Sequence, residues 1–128
     1  ANASSMVLWC SFGAFDALFT GALEGVGEAG LLEYMESRFS HGDLEILKVP
    51  HHGSESACTE ALLSEAAPRL AVISCGKDNP YGHPAPALLK RLEKAGCALH
   101  RTDEAGALSV STDGKTMELR PFLRKEKQ

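Results

Sequence analysis

Leu44-Glu45-Ile46-Leu47-Lys48-Val49-Pro50-His51-His52-Gly53-Ser54 is the stretch that decides how this chain is read. The first six residues form a short apolar run that reads as a buried strand, and Pro50 and Gly53 bracket a sharp turn. Two adjacent imidazoles are thus delivered at the carboxyl end of a strand. Histidine is the commonest metal ligand near neutral pH, and strand ends of this kind are where α/β proteins place metal and phosphate sites.

Working outward, the flanking segments alternate strand and helix patterns. Met6 to Cys10 and Phe15 to Thr20 read as a hairpin, turning at Ser11-Phe12-Gly13, and Gly21 to Gly27 as a glycine-rich loop. Glu28 to Phe39 carries Leu31, Leu32, Met35 and Phe39 at helical spacing. Glu55 to Ala67 is a second helix pattern, capped by Ser56 or Thr59 and ended by Pro68. Leu70 to Cys75 is a nearly all-apolar strand of the kind buried on both faces. The polar loop Gly76 to Pro84 leads to a third helix, Pro86 to Gly96, with Leu88, Leu89 and Leu92 inward, then to a strand at Cys97 to Arg101. Gly106 to Thr112 and Lys115 to Pro121 form a closing hairpin, and the charged tail from Arg124 is expected to fray. Consecutive strand–loop–helix units favour parallel strands with adjacent carboxyl ends, which would line up His51, His52, Asn79, Tyr81 and His83 along one rim.

Composition bounds the rest. The chain has 128 residues, 44% hydrophobic and 23% charged, with a net charge of -4. That describes one globular unit with a real core. It gives no general attraction for nucleic acid, so any such contact would be local, through Lys48, Arg69, Lys77 or Lys90. No apolar run approaches the roughly 20 residues a membrane span needs. Cys10, Cys58, Cys75 and Cys97 form no Cys-x-x-Cys pair and read as small buried hydrophobes. Asp103-Glu104 reads as solvated surface, Ser54 as a cap or backbone contact and not a nucleophile, and Asn79 and Tyr81 as loop braces. His83 reads equally as a turn residue or a substrate contact.

Several motifs stand in register: Asn2-x-x-Ser5-x-Val-Leu, Phe19-Thr20-Gly21, the Pro50-His-His-Gly-Ser54 loop, Ile73-Ser-Cys-Gly76, Asn79-x-Tyr81-Gly82-His83-Pro84, and Arg101-Thr102 before Gly106. Together they resemble the carboxyl-terminal half of the metallo-β-lactamase-like domain of ComEC-type DNA-internalisation competence proteins, over about residues 2 to 120. The resemblance implies an α/β fold, half of an αββα sandwich with a mixed sheet and about three helices, as one partial domain over residues 1–128. It implies zinc or manganese as cofactor, His52 and His51 as metal ligands, and His51, Ser54 and His83 as phosphate or substrate contacts. It also implies a metal-dependent phosphodiester hydrolase as parent, a bacterial inner-membrane protein carrying this soluble domain on one side and contacting DNA.

The sequence departs from that family in two ways. No His-x-His pair exists among His41, His51, His52, His83 and His100, and Ala22 stands where the family carries an aspartate after Thr-Gly. A catalytic zinc site takes three protein ligands and one open position, and water activation depends on that set. The expectation is therefore a segment inactive alone, awaiting a missing amino-terminal half or pairing as a homodimer. The alternative is a non-catalytic phosphate- or nucleic-acid-binding domain, or an interaction domain, that kept the fold and lost the metal site. Glu24 and Glu28 could approach the position Ala22 leaves without a carboxylate.

Overall fold

A computed structural model describes residues 5–38 and 44–123. It places five strands in one sheet in the order β1 (Leu8–Phe12), β2 (Phe15–Phe19), β3 (Ile46–Lys48), β4 (Leu70–Ile73), β5 (Ala98–Arg101). β1 and β2 are an antiparallel hairpin, while β2, β3, β4 and β5 run parallel in sequence order. The helices α1 (Val26–Arg38), α2 (Glu60–Ala66) and α3 (Pro86–Lys94) are the crossovers between these parallel strands. Right-handed crossovers that always step in one direction put all three helices on one face. Leu18, Leu47, Ala71 and Ile73 accordingly share a core with Met35 of α1, Leu62 and Leu63 of α2, and Leu88 and Leu92 of α3. The fold is α/β with a mixed sheet, as the sequence predicts.

The other face is covered differently. A short helix, α4 (Thr102–Ala105), leads into an antiparallel hairpin, β6 (Leu108–Thr112) and β7 (Met117–Pro121). Leu108 and Met117 pack on Ala17, Ile46 and Leu70. The hairpin tip reaches the β1–β2 turn, where the Ala14 amide donates to the Gly114 carbonyl at 2.6 Å. A side chain at Gly13 would sit 2.7 Å from that same carbonyl oxygen, so only glycine permits the contact. Between hairpin and sheet a groove of about 360 Å³ stays open, lined by Phe15, Phe19, Ile46, Lys48, Val72 and Val110 among others.

Element boundaries depart from expectation where side chains compete with helix formation. The second helix begins at Glu60 instead of Glu55, capped by the Thr59 hydroxyl, which accepts from the Leu62 amide at 3.3 Å. The residues before it are held from two sides. Buried Glu28 of α1 accepts from the amides of Thr59 at 2.6 Å and Cys58 at 3.1 Å. Arg91 of α3 donates to the carbonyls of Cys58, Ala57 and Glu55. Phe39, expected on the inner face of α1, His41 and the tail from Arg124 lie outside the described residues. Asp103-Glu104 is not solvated surface throughout: it forms α4, and the Asp103 carboxylate is largely covered against Arg101 at 2.7 Å. Of the cysteines only Cys58 is fully buried. Cys75 and Cys97 are half-buried, Cys10 is exposed, and all four are free.

Candidate histidine rim at the strand ends

The expected rim forms at the carboxyl ends of β3 and β4. Val49 and Pro50 are buried and anchor the end of β3, with the Val49 amide donating to Val72 of β4 at 2.9 Å. The chain then turns through a 3₁₀ segment, His51–Gly53, in which three successive residues hold positive φ: His51 at 50°, His52 at 54° and Gly53 at 82°. Left-handed backbone at two non-glycine residues costs on the order of 1–3 kcal/mol each and persists only where the surroundings impose it. Here they do. The His51 amide donates to Gly21 at 2.9 Å, and the Gly53 carbonyl accepts from Ala85 at 2.8 Å. A Cβ on Gly53 would lie 2.9 Å from Cβ of Pro84 and 3.2 Å from Ile73 and Leu88, so the turn is pressed directly onto the helical core.

Both rings are fixed through Nδ1. His52 Nδ1 lies 2.7 Å from the Ser74 carbonyl oxygen, which can only accept, so Nδ1 carries the proton. His51 Nδ1 lies 2.7 Å from Oε1 of Glu24, a carboxylate that also accepts from the buried Ser54 hydroxyl. Nε2 is the second nitrogen of each ring. When the imidazole is neutral, Nε2 bears the lone pair. An Nδ1–H held by a carboxylate or a backbone carbonyl is the support that metal-ligating histidines carry.

His83 arrives from the neighbouring loop. Asn79 organises that loop, donating to the carbonyls of Gly76 at 3.0 Å and His83 at 2.6 Å and accepting from the amides of Tyr81 and His83 at 3.1 Å. Asn79 is thus the brace the sequence predicts, and Tyr81 is exposed with its ring 5.8 Å from that of His83. The His83 ring meets His51 edge-on at 5.7 Å between centroids, while His51 and His52 stand 6.5 Å apart.

Those separations matter for a metal. With zinc–nitrogen bonds of about 2.0–2.1 Å, two imidazole centres on one tetrahedral ion lie roughly 5.3 Å apart and never beyond about 6.4 Å. His51 and His83 are near the first value, whereas His51 and His52 would have to move to share an ion. Among the described residues no group of three or more His, Cys, Asp or Glu is placed to hold a metal. The donor chemistry fits individual ligands, but these residues do not assemble a catalytic zinc set. Ala22 contributes no donor, since its amide is held by Ser5 Oγ at 2.9 Å and its side chain is a methyl group. Glu24 does approach this space and reaches His51. Glu28 does not, being committed to Cys58 and Thr59. His100 is separate, bonded to the Gly106 carbonyl at 2.9 Å.

Lys48, the last residue of β3, lines the open groove, and its ammonium donates to the Val49 carbonyl at 3.3 Å. Burial pulls its ammonium below the usual lysine range.

The chain is 36% identical over 107 residues to ComE operon protein 3 of Bacillus subtilis (strain 168), covering 84% of this chain and 13% of that protein. It is 36% identical over 108 residues to Competence protein ComA of Neisseria gonorrhoeae, covering 84% and 15%. The chain is homologous to a segment of competence-related proteins. Recombination protein 2 of Haemophilus influenzae is a further relative, 31% identical over 110 residues, which are 86% of this chain and 13% of that protein. The chain therefore spans only 13–15% of the length of these relatives. No family model matches it, and no solved structure matches it significantly. The competence part of the sequence resemblance is thus supported by named relatives. No helix among the described residues is long and apolar enough to cross a membrane.

Proposed function

We propose that this chain is one part of a metallo-β-lactamase-like domain in a competence protein, and that it supplies histidine ligands to a metal site acting on DNA phosphodiesters. The observation that carries the proposal is the fixing of both Nδ1 atoms, His51 on Glu24 and His52 on Ser74, a tautomer that puts the lone pair of each neutral ring on Nε2. A zinc or manganese ion bound in the whole protein would supply an activated water there. This chain's own residues hold and orient. Glu24 fixes the tautomer and angle of His51, Ser54 braces Glu24, and the 3₁₀ turn sets His52 against β4. The remaining donors must come from elsewhere in the protein, and the chain alone is proposed to be without efficient hydrolysis.

A second reading has support of its own in Ala22 and the missing third donor: a rim that binds DNA phosphates without cleaving them. The two readings demand opposite proton states. A metal needs the Nε2 lone pair; a phosphate oxygen needs an Nε2–H, which requires the imidazolium. Zinc titration by calorimetry, beside fluorescence anisotropy with a labelled DNA oligonucleotide at pH 5.5 and 7.5, separates them. On the ligand reading, zinc binding weakens in acid and is lost in His52→Ala and His51→Ala. Metal-independent DNA binding that strengthens in acid and disappears in the same variants would select the phosphate reading. Robust metal-dependent cleavage by the unaltered chain would overturn the claim that it is inactive alone.

A further inference from the structure

The loop that brings His83 to the rim also presents an aromatic ring to solvent. The sequence predicts Tyr81 as a brace, but its side chain is 77% exposed. Its backbone joins the loop, the amide donating to Asn79 Oδ1 at 3.1 Å, while the ring stands clear. Bracing falls to Asn79, which donates to the carbonyls of Gly76 and His83 and accepts from the amides of Tyr81 and His83. The loop is thus held from within, and Pro80 fixes φ just before the tyrosine. The ring's neighbour is the rim itself. Its centroid lies 5.8 Å from that of His83, inclined by 31°, and His83 in turn lies 5.7 Å from His51. A Cβ on Gly82, next in the chain, would meet nothing within 4 Å, so the space beside the ring is open.

An exposed aromatic ring on a pre-set loop, one ring away from the histidines, is a surface on which a nucleobase can stack. A nucleotide whose phosphate lies against the imidazoles carries its own base outward toward this ring. Resting on the reading of the rim as a DNA-phosphodiester site, we propose that Tyr81 is the stacking platform for an unpaired nucleobase beside the phosphodiester held there. This adds the form of the DNA. A base must leave the duplex to lie on a side chain, so the site takes single strands and frayed ends ahead of intact duplex. Charge offers no equal account of the loop, because exposed Lys77 is followed by exposed Asp78. Stacking is tolerant of sequence, since every base has a π-face. A tyrosine has few side-chain torsions to immobilise, so the ring is ordered at low entropic cost.

The chain contains two tyrosines, Tyr34 and Tyr81. Incorporation of 3-fluorotyrosine therefore gives two fluorine resonances, assigned by Tyr81→Phe. The probe is a single-stranded oligothymidylate, titrated with zinc at pH 7.5 and without metal at pH 5.5, which serves both ways of holding a phosphate at the rim. The Tyr81 resonance is expected to shift and that of Tyr34 to stay. In anisotropy measurements Tyr81→Ala should weaken binding about five-fold or more, the low end for one stacked base, with the dependence of affinity on salt unchanged. Tyr81→Phe should keep the affinity and Tyr81→Leu should not. Blunt duplex DNA should show no such penalty. If His52→Ala and His83→Ala abolish binding while Tyr81→Ala leaves it intact, the rim holds DNA and the stacking proposal is overturned. A Tyr81 that contacts another part of the protein instead gives that same result. An equal penalty on duplex, or full rescue by leucine, overturns it as well. If the unaltered chain binds no oligonucleotide under either condition, the reading of the rim and the stacking fall together. If Tyr81→Ala fails to fold, the fluorine shift in the unaltered chain decides.

Discussion

The two faces of the central sheet are built from neighbouring residues of the same strands, yet they are finished to different degrees. On the helical face Leu18, Leu47, Ala71 and Ile73 are buried under α1, α2 and α3. On the other face Ala17, Ile46 and Leu70 are buried where the β6–β7 hairpin lies, but exposure rises toward β1, where Phe19, Leu8 and Phe12 face outward. One face is a core; the other is a core beneath the hairpin and an unfinished surface beyond it. The histidine rim belongs to the finished face. A side chain at Gly53 would run into Pro84, Ile73 and Leu88, so the strained turn lies close against the helical core. The histidine rings are fixed where packing is complete, and the exposed apolar side chains lie on the side where it is not.

The sharpest way to break this contrast is a pair of truncations. Leu47→Ala, at a position with no exposed surface, is expected to cost about 2–5 kcal/mol in urea unfolding. Phe12→Ala, at a position 58% exposed, is expected to change stability by no more than about 0.5 kcal/mol, as surface substitutions do. Equal losses would mean that the open face is covered, and the contrast would fall.

Gly53→Ala probes the joint between rim and core. Its φ of +82° is unfavourable to any side chain, and the added methyl would meet Pro84 at 2.9 Å. Backbone strain and overpacking each cost on the order of 1–3 kcal/mol, so a loss of about 2 kcal/mol is expected. The readout that separates this site from an ordinary core defect is the Nε2 environment of His51 and His52. Its imidazole resonances should shift in Gly53→Ala and stay in place in Leu92→Ala, which is buried farther along α3. Unmoved resonances in Gly53→Ala would show that the rim is held independently of the core.

Much of the finished face was legible in the sequence, because two periodicities announce it: short apolar runs at Leu44–Val49 and Leu70–Cys75, and helical spacing at Leu88 and Leu92. The rim followed, since consecutive strand–helix units must bring their loops to one end. The partner of His51 did not follow. Glu24 lies 27 residues away in a glycine-rich loop, and only the tertiary fold shows that it, and not Glu28, turns toward the histidines. The exposure of Cys10 was hidden for a related reason. An apolar strand reads as buried whether or not anything covers it, because local pattern reports what a side chain prefers and not what it obtains. Asp103 departs in the opposite direction: an Asp-Glu pair in a short connection looks solvated until Arg101 is placed beside it.

That last pair offers the smallest and most specific test, because it belongs to the β5 edge of the sheet. Hydrogen bonds from the Arg101 guanidinium hold the Asp103 carboxyl below the usual range, more than burial raises it. A depressed folded-state value means that the carboxylate contributes stability fully above its unfolded value, about 3.9. The contribution is lost as pH falls from there through the lower folded value. Melting temperature should therefore drop in acid below about pH 4, and Asp103→Asn should flatten part of that drop while costing a little stability at pH 7. His100 and the β5 edge should become more open to hydrogen exchange in the same variant, with β1 unchanged. If β5 amides exchange equally in Asp103→Asn and in the unaltered chain at neutral pH, Arg101 and Asp103 do not guard that edge, and its protection must come from α4 and the hairpin that follows it.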